Sequence, residues 1–411
     1  MFDPGTIRIK EYDYPLPAAK IAQFPLVARD ASKLLIYNQG QIREDVFSEI
    51  DRYLPAKSLL VFNDTRVIRA RLIFTKSTGS QIEIFCLEPL STSREIQEAF
   101  HQQTTSTWKC LVGNLKRWKS GSLMLECTHQ GLIHQIFADR IADCGDGSFE
   151  IAFRWEPPGK TFSEILELMG RIPLPPYINR EAEPSDNERY QTIYAAHEGS
   201  VAAPTAGLHF TQQLMDRLRS HGIEKEKVTL HVGVGTFRPV AVEHLRDHMM
   251  HHERIVVSKK TIERLLNHLT RPVFAVGTTS ARTLESLYWL GVKLTREGSG
   301  SHPVVPQWYP YQQGSTVNVT VQQSLEVLHE YLCKCNLDEY SGETQLMIVP
   351  GYQFRLLSGL ITNFHMPQST LLLLVAALIG DDWKTAYEYA LHNGFRFLSY
   401  GDSCLFFNPR R

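Results

Sequence analysis

Three short stretches of the chain are richer in small and hydroxyl-bearing residues than packing requires. They are SVAAPTAGLHF at Ser200 to Phe210, VGTTSAR at Val276 to Arg282, and ITNFHMPQST at Ile361 to Thr370. Each reads as a strand-to-helix turn, presenting free backbone N–H groups and hydroxyls where a carboxylate or ribose oxygen can be held. Three such turns in one domain point to a shared ligand cleft at the carboxyl ends of strands. His209, His231 and His365 lie in or beside them. A neutral imidazole takes or gives a proton near physiological pH, so these are the acid/base candidates, although each also reads as a satisfied structural histidine. VTLHVGVGTFRPV adds Gly233 and Gly235, which either let a ligand approach the backbone or mark a bulge. The third glycine and following helix of a dinucleotide fingerprint are missing. His244, His248 and His252 recur at helical spacing and invite a metal reading, but no HExxH pattern or cysteine pair accompanies them, and no metal site is expected.

The elements that must position these groups fall into two kinds of text. Before Ile73 and after Trp155, short apolar strands alternate with helical patterns, as in a parallel sheet with crossover helices. FAVGTTSARTLESLYWLG is one such unit, with Leu284, Leu287 and Tyr288 turned inward and Gly291 as the expected stop. In PTAGLHFTQQLMDRLRSHG, Thr211 is the expected N-cap and Gly222 the stop. Thr320 and Gln323 form a capping box. Residues 73–155 instead give short period-two segments, clearest in SFEIAFRW and also in QIEIFCLE and SLMLECT. The expectation is an α/β fold: a discontinuous α/β barrel-like domain, residues 1–72 and 156–411, with an inserted antiparallel β-barrel at 73–155. In the insert, Lys109, Lys116, Arg117 and Lys119 interleave with Trp108 and Trp118, a pattern that suits nucleic acid and equally a solvated hairpin end. The stretch Arg296 to Ser315 has turn chemistry without a period and reads as a long surface loop: a lid, a partner contact or a passive excursion.

Bulk properties set limits. A chain of 411 residues, 43% hydrophobic, buries a sizeable core and suits two domains. Its seven scattered cysteines do not form a disulfide framework and fit a reducing compartment. The charged, proline-bearing N-terminus is unlike a secretory signal, and the run LLLLVAALI at Leu371 to Ile379 is about half a membrane span. A cytoplasmic protein without a membrane partner is expected. The net charge of −1 gives no general attraction to nucleic acid, so any RNA binding must come from a local basic cluster.

Taken in order, several longer strings resemble the S-adenosylmethionine:tRNA ribosyltransferase-isomerases of queuosine synthesis. The resemblance rests on LLVFNDTRVI at Leu59 to Ile68, RIPLPPYI at Arg171 to Ile178, ERYQTIYA at Glu188 to Ala195, the three turns above, VTLHVGVGTFRPV, and FRFLSYGD at Phe395 to Asp402. YDYPLPAAKIAQFPLVARDASKLL near the N-terminus also fits, so nearly the whole chain is covered. Arg69, Arg171 and Ser358 depart from frequent family residues, proline, histidine and aspartate respectively, and the Lys293 to Tyr340 stretch is longer than in compact members.

The resemblance implies transfer and isomerisation of the ribosyl group of S-adenosylmethionine to 7-aminomethyl-7-deazaguanine at the tRNA wobble position. The product is epoxyqueuosine; adenine and methionine leave. S-adenosylmethionine is then a consumed co-substrate, no cofactor is implied, tRNA is the partner, and a monomer is expected. The residues implied as substrate-binding are Asn63, Asp64, Thr65 and Arg66 in the first string, with Thr205 and Gly207, and with Gly233, Gly235 and Thr236. Gly277, Thr278, Thr279, Ser280, Arg282 and Glu285 follow, then Asn363, Arg396, Tyr400 and Asp402. Two readings from other classes compete: an S-adenosylmethionine-dependent methyltransferase, which releases S-adenosylhomocysteine, and a non-catalytic RNA-binding protein, which leaves S-adenosylmethionine untouched.

Overall fold

The structure, a computed structural model, describes residues 3–90, 96–233, 240, 242–298, 304–312 and 319–410. Gly235, Thr236 and parts of the Arg296 to Ser315 stretch lie outside the described residues.

Seventeen strands are described. The first five are β1 Lys33–Asn38, β2 Gln41–Val46, β3 Leu59–Asn63, β4 Thr65–Val67 and β5 Arg71–Thr75. Next come β6 Gln81–Pro89, β7 Thr105–Gly113, β8 Leu123–His129, β9 Leu132–Asp143, β10 Phe149–Glu156 and β11 His197–Ser200. The last are β12 Glu224–Leu230, β13 Glu253–Ser258, β14 Val273–Val276, β15 Glu339–Thr344, β16 Gly359–Asn363 and β17 Ser403–Phe407. Nine of them form one mixed sheet in the order β15-β13-β12-β3-β14-β16-β17-β1-β2.

Its centre, β12-β3-β14-β16, is parallel. LLVFN, VFAV and GLITN are buried at every position, as strands covered on both faces must be. The expectation of a parallel sheet holds for this centre and for the pair β1 and β17. On the flanks β13 pairs antiparallel with β12 and β15, and β17 antiparallel with β16, while the edge strand β2 is charged and half solvated.

β5 to β10 make a separate six-stranded antiparallel sheet, with β5 lying against β8 so that it curls into a barrel. The alternation read in SFEIAFRW is the burial pattern of β10. The helix Phe162–Met169, held by a Thr161/Glu164 capping box, inserts Phe162 among Trp108, Phe153 and Trp155 at 5.4 Å ring separations. Trp108 and Trp118 are therefore core residues, and Lys109 is paired with Glu88 and Asp146. Of the two readings of the Trp/Lys pattern, a stacking platform at these tryptophans is not formed, since both are buried, while Lys116, Arg117 and Lys119 are exposed around the turn Leu115–Arg117.

The caps at Thr211 and Thr320 form as the sequence indicates. Gly291 does not stop its helix, which runs Thr278–Glu297. A Cβ there would lie 2.0 Å from the Ser324 carbonyl, so the glycine serves close approach of the helix Val321–Lys334. His244, His248 and His252 share no helix face: only the turn Leu245–Asp247 is helical, and His252 pairs with Glu343 at 2.8 Å. Val305 and Tyr309 are buried, so the segment around them packs against the core, whereas residues 296–298 of the expected surface loop are exposed. No described helix is long and apolar enough to cross a membrane.

Candidate active site

β14 and β16 run side by side and end together, so the turns after them, at Gly277 and Asn363, are neighbours. The segment after β11 joins them, and all three small-residue turns line one cleft, through Ala202 to Ala206, Gly277 to Thr279 and Thr362 to Met366. This is the carboxyl end of the parallel strands, where an α/β sheet takes its ligands.

Gly277 has φ +88°, a backbone conformation that side chains disfavour, and it turns the chain from β14 into the helix Thr278–Glu297. No side chain caps that helix start. Its first amides therefore face the cleft with the positive end of a twenty-residue helix behind them, an arrangement that holds a carboxylate or phosphate oxygen. Asn63 fixes this corner: its side-chain nitrogen donates to Thr279 Oγ1 at 3.1 Å and to the Leu230 carbonyl, while its oxygen accepts from the Thr65 and Leu230 amides.

The three histidines separate clearly. His365 lines the cleft; its Nε2 meets Thr362 Oγ1 at 2.9 Å, and Nδ1 has no partner among the described residues. Burial pushes this imidazole down to about 3, so it is neutral near pH 7. His209 lies outside the cleft lining with both nitrogens engaged, Nδ1 by Ser32 Oγ at 2.8 Å and Nε2 by Asn363 Nδ2 at 3.1 Å. Because Asn363 Nδ2 also donates to the Leu398 carbonyl, His209 Nε2 is the acceptor. His231 stacks over Gly199, where a Cβ would come within 2.6 Å of the ring, and contacts Thr65 Oγ1 at 3.0 Å. Asn363 Oδ1, buried beside the cleft, has no partner among the described residues.

Of the other expected site residues, Thr205, Gly277, Thr278, Thr279 and Asn363 line the cleft. Several stand elsewhere, for visible reasons. Glu285 is wholly buried and accepts from Tyr352 Oη and the amides of Arg355, Leu356 and Leu357. Arg282 forms a buried pair with Glu253, and Asp402 accepts from Arg396 and the Lys33 amide. Ser280 bonds back to the Val276 carbonyl, Asp64 accepts from Thr229, and Tyr400 donates to Asp186. Gly207 makes room for Tyr194, Arg66 faces Glu198, Thr65 contacts Ser200, and Gly233 lies outside the lining. Sequence reasoning missed Tyr177 and Ser399, which share a 2.7 Å hydrogen bond and line the cleft. Both sit inside strings already picked out, where a polar residue in an otherwise apolar context was the available signal. Arg69 and Arg171, which depart from the family pattern, pair with Glu167 and Glu181 and do not line the cleft.

The buried histidines carry a stability consequence. His209 and His231 are pushed down to about 4, and His365 to about 3, chiefly by burial. Below the ordinary value near 6.5 the unfolded chain binds protons that the folded chain refuses, so stability is fullest above pH 6.5 and falls as pH drops toward 4. The slope is about 1.4 kcal/mol per pH unit for each histidine. Urea midpoints at pH 7.5 and 5.5 should differ accordingly, with a shallower dependence in His209→Gln; equal midpoints for the wild type would contradict this.

Comparison with known proteins identifies the family. The family model described as "Queuosine biosynthesis protein" matches residues 9–406. Proteins named S-adenosylmethionine:tRNA ribosyltransferase-isomerase are 37% identical over 402 residues in Trichlorobacter lovleyi, and 38% over 404 in Desulfitobacterium hafniense and in Thermotoga petrophila. Each alignment covers 97% of this chain and 99% of the relative. The crystal structure of the S-adenosylmethionine tRNA ribosyltransferase from Thermotoga maritima is 28% identical, spans 96% of this chain and 99% of that one, and superposes with a TM-score of 0.45. From residue 9 to residue 406, this chain belongs to the queuosine biosynthesis protein family.

Proposed function

We propose that this protein is an S-adenosylmethionine:tRNA ribosyltransferase-isomerase that carries out its reaction in the cleft at the ends of β14 and β16. The observation supporting this site is the convergence there of an open helix N-terminus, the hydroxyls of Thr278 and Thr279, and the partnerless Nδ1 of His365. The acceptor is 7-aminomethyl-7-deazaguanine at the wobble position of tRNA.

In this reading the first amides of the helix Thr278–Glu297 hold the methionine carboxylate, and Asn63 keeps Thr279 in place. Asn363 Oδ1 accepts an N–H of the co-substrate. With Nε2–H donated to Thr362, His365 presents the Nδ1 lone pair and takes a proton from C5′ of the ribose, acidified by the adjacent sulfonium. Burial weakens the ring as a base, but the bound carboxylate and the carbanion formed on proton transfer favour its charged form. Adenine leaves as the sugar opens, the aminomethyl nitrogen attacks, and an internal oxygen displaces methionine as the epoxide closes. Phe364, Met366, Leu371 and Leu398 make apolar walls that keep water from the open-chain intermediates.

The test is to incubate the purified protein with S-adenosylmethionine and tRNA carrying the aminomethyl base. Free adenine and an epoxyqueuosine mass in the digested RNA are expected. S-adenosylhomocysteine with a methylated nucleoside would reject the reaction in favour of methyl transfer, and unchanged S-adenosylmethionine would leave RNA binding alone.

A further inference from the structure

Beside the cleft, and sharing Ser399 with it, lies a second small hollow walled by Arg29, Arg189 and Arg396, with His209 and Tyr400 behind them. Arg29 donates to the carbonyls of Gln191 and Glu188 at 2.8 Å, and Arg189 to those of Leu26 and Val27. Neither guanidinium has a carboxylate within ion-pair distance among the described residues. Arg189 Nε is buried without a partner among the described residues. Arg396 is paired, to Asp402 at 3.3 Å; of the other acids nearby, Asp186 is taken by Arg180 and Tyr400, Asp30 accepts from Thr211, and Glu188 is exposed. The hollow therefore carries net positive charge, held in place by backbone carbonyls. Burial, followed by the proximity of Arg189, lowers the proton affinity of Arg29, outweighing the opposing effect of Glu188.

We propose that Arg29 and Arg189, with Arg396, form a phosphate-binding pocket that takes a backbone phosphate of the RNA substrate next to the nucleotide inserted in the cleft. The inference rests on the reading of the protein as a tRNA-modifying enzyme. Planar guanidiniums match phosphate oxygens in bidentate geometry, and three of them suit one phosphate better than one carboxylate. The location also fits. A nucleotide reaching the cleft brings its flanking phosphates past the rim, and Ser399 is the residue common to cleft and hollow. A chain of net charge −1 holds RNA only through such a local cluster. In the β-barrel, Lys109 is already neutralised by Glu88 and Asp146, and Lys116, Arg117 and Lys119 are exposed but line neither the cleft nor the hollow.

The experiment measures binding of the tRNA to the full-length protein, without S-adenosylmethionine, as a function of salt. Arg189→Gln should weaken RNA binding roughly ten- to hundredfold. It should also lower the salt slope by about 0.7–0.9, the value of one phosphate contact, and leave the Kd for S-adenosylmethionine unchanged. Arg189→Lys, which keeps the charge, should retain most of the slope. An unchanged slope in folded Arg189→Gln overturns the proposal. So does a raised Kd for S-adenosylmethionine with RNA binding intact, which would make the pocket a carboxylate clamp. If Arg189→Gln does not fold, the wild type decides: replacing single phosphates around the wobble nucleotide by neutral methylphosphonates should weaken binding at one position, and no sensitive position refutes the pocket. Because RNA binding is read without the co-substrate, a protein that binds RNA in this way yet releases no adenine refutes the reaction and leaves the pocket standing.

Discussion

His365→Ala is expected to lower the turnover of adenine release by about 10²–10⁴-fold while leaving the Kd for S-adenosylmethionine within a few-fold of the wild type. The side chain gives up one hydrogen bond, to Thr362 Oγ1. Its backbone keeps the bonds that fix the loop, the amide to Tyr387 Oη and the carbonyl to Tyr14 Oη. The fold therefore loses little, and binding carried by the helix start at Thr278 is untouched. His209→Gln should behave differently. It disturbs the Ser32–His209–Asn363 chain, costing stability first and turnover only as far as Asn363 shifts. The pH profile gives a further check on His365. An imidazole held near 3 by burial stays neutral from pH 5 to 8, so kcat/KM should show no descending limb near 6.5 from this group. Full turnover in His365→Ala, or loss of co-substrate binding equal to the loss of rate, would remove His365 from the proton-transfer role.

Much of the architecture was legible because it is written locally. Period-two text gives the barrel strands, continuous apolar runs give the buried parallel strands, and Thr211 and Thr320 announce helix starts. Gly291 was misleading because a glycine looks the same in sequence whether it ends a helix or lets another helix approach. In the site, the three turns were visible as composition, and their convergence followed from strands β14 and β16 being neighbours. Ranking the histidines was not possible from sequence. What separates His365 from His209 is whether a distant residue occupies the second ring nitrogen, and Ser32 and Asn363 do so across 177 and 154 positions of chain. The same limit applies to charge: Arg29, Arg189 and Arg396 come from three separate segments and meet only in the fold.

Glu285 shows how far the same limit reaches, and its replacement by alanine is expected to destabilise the protein by about 4 kcal/mol or more. A carboxylate seven residues into a helix that starts at the cleft reads as a ligand group, yet the helix turns it away from the cleft and into the core. There one oxygen accepts from Tyr352 Oη and the Arg355 amide at 2.8 Å each, and the other from the Leu356 and Leu357 amides at 2.9 and 3.3 Å. Burial raises its pKa and these donors oppose the rise. Alanine strands up to four donors away from water, each costing about 1–3 kcal/mol unless the segment rearranges, and adds a cavity. Glu285→Gln keeps the volume but turns an amide N–H₂ toward two donors, so it should fall between alanine and wild type. The segment it pins leads directly into β16, whose end carries Asn363 and, two residues on, His365. Loss of activity in these variants should therefore track loss of folded protein in urea titrations, with the Kd for S-adenosylmethionine unchanged in the folded fraction. A Glu285→Ala protein as stable as wild type but unable to bind the co-substrate would show that the carboxylate serves the ligand after all.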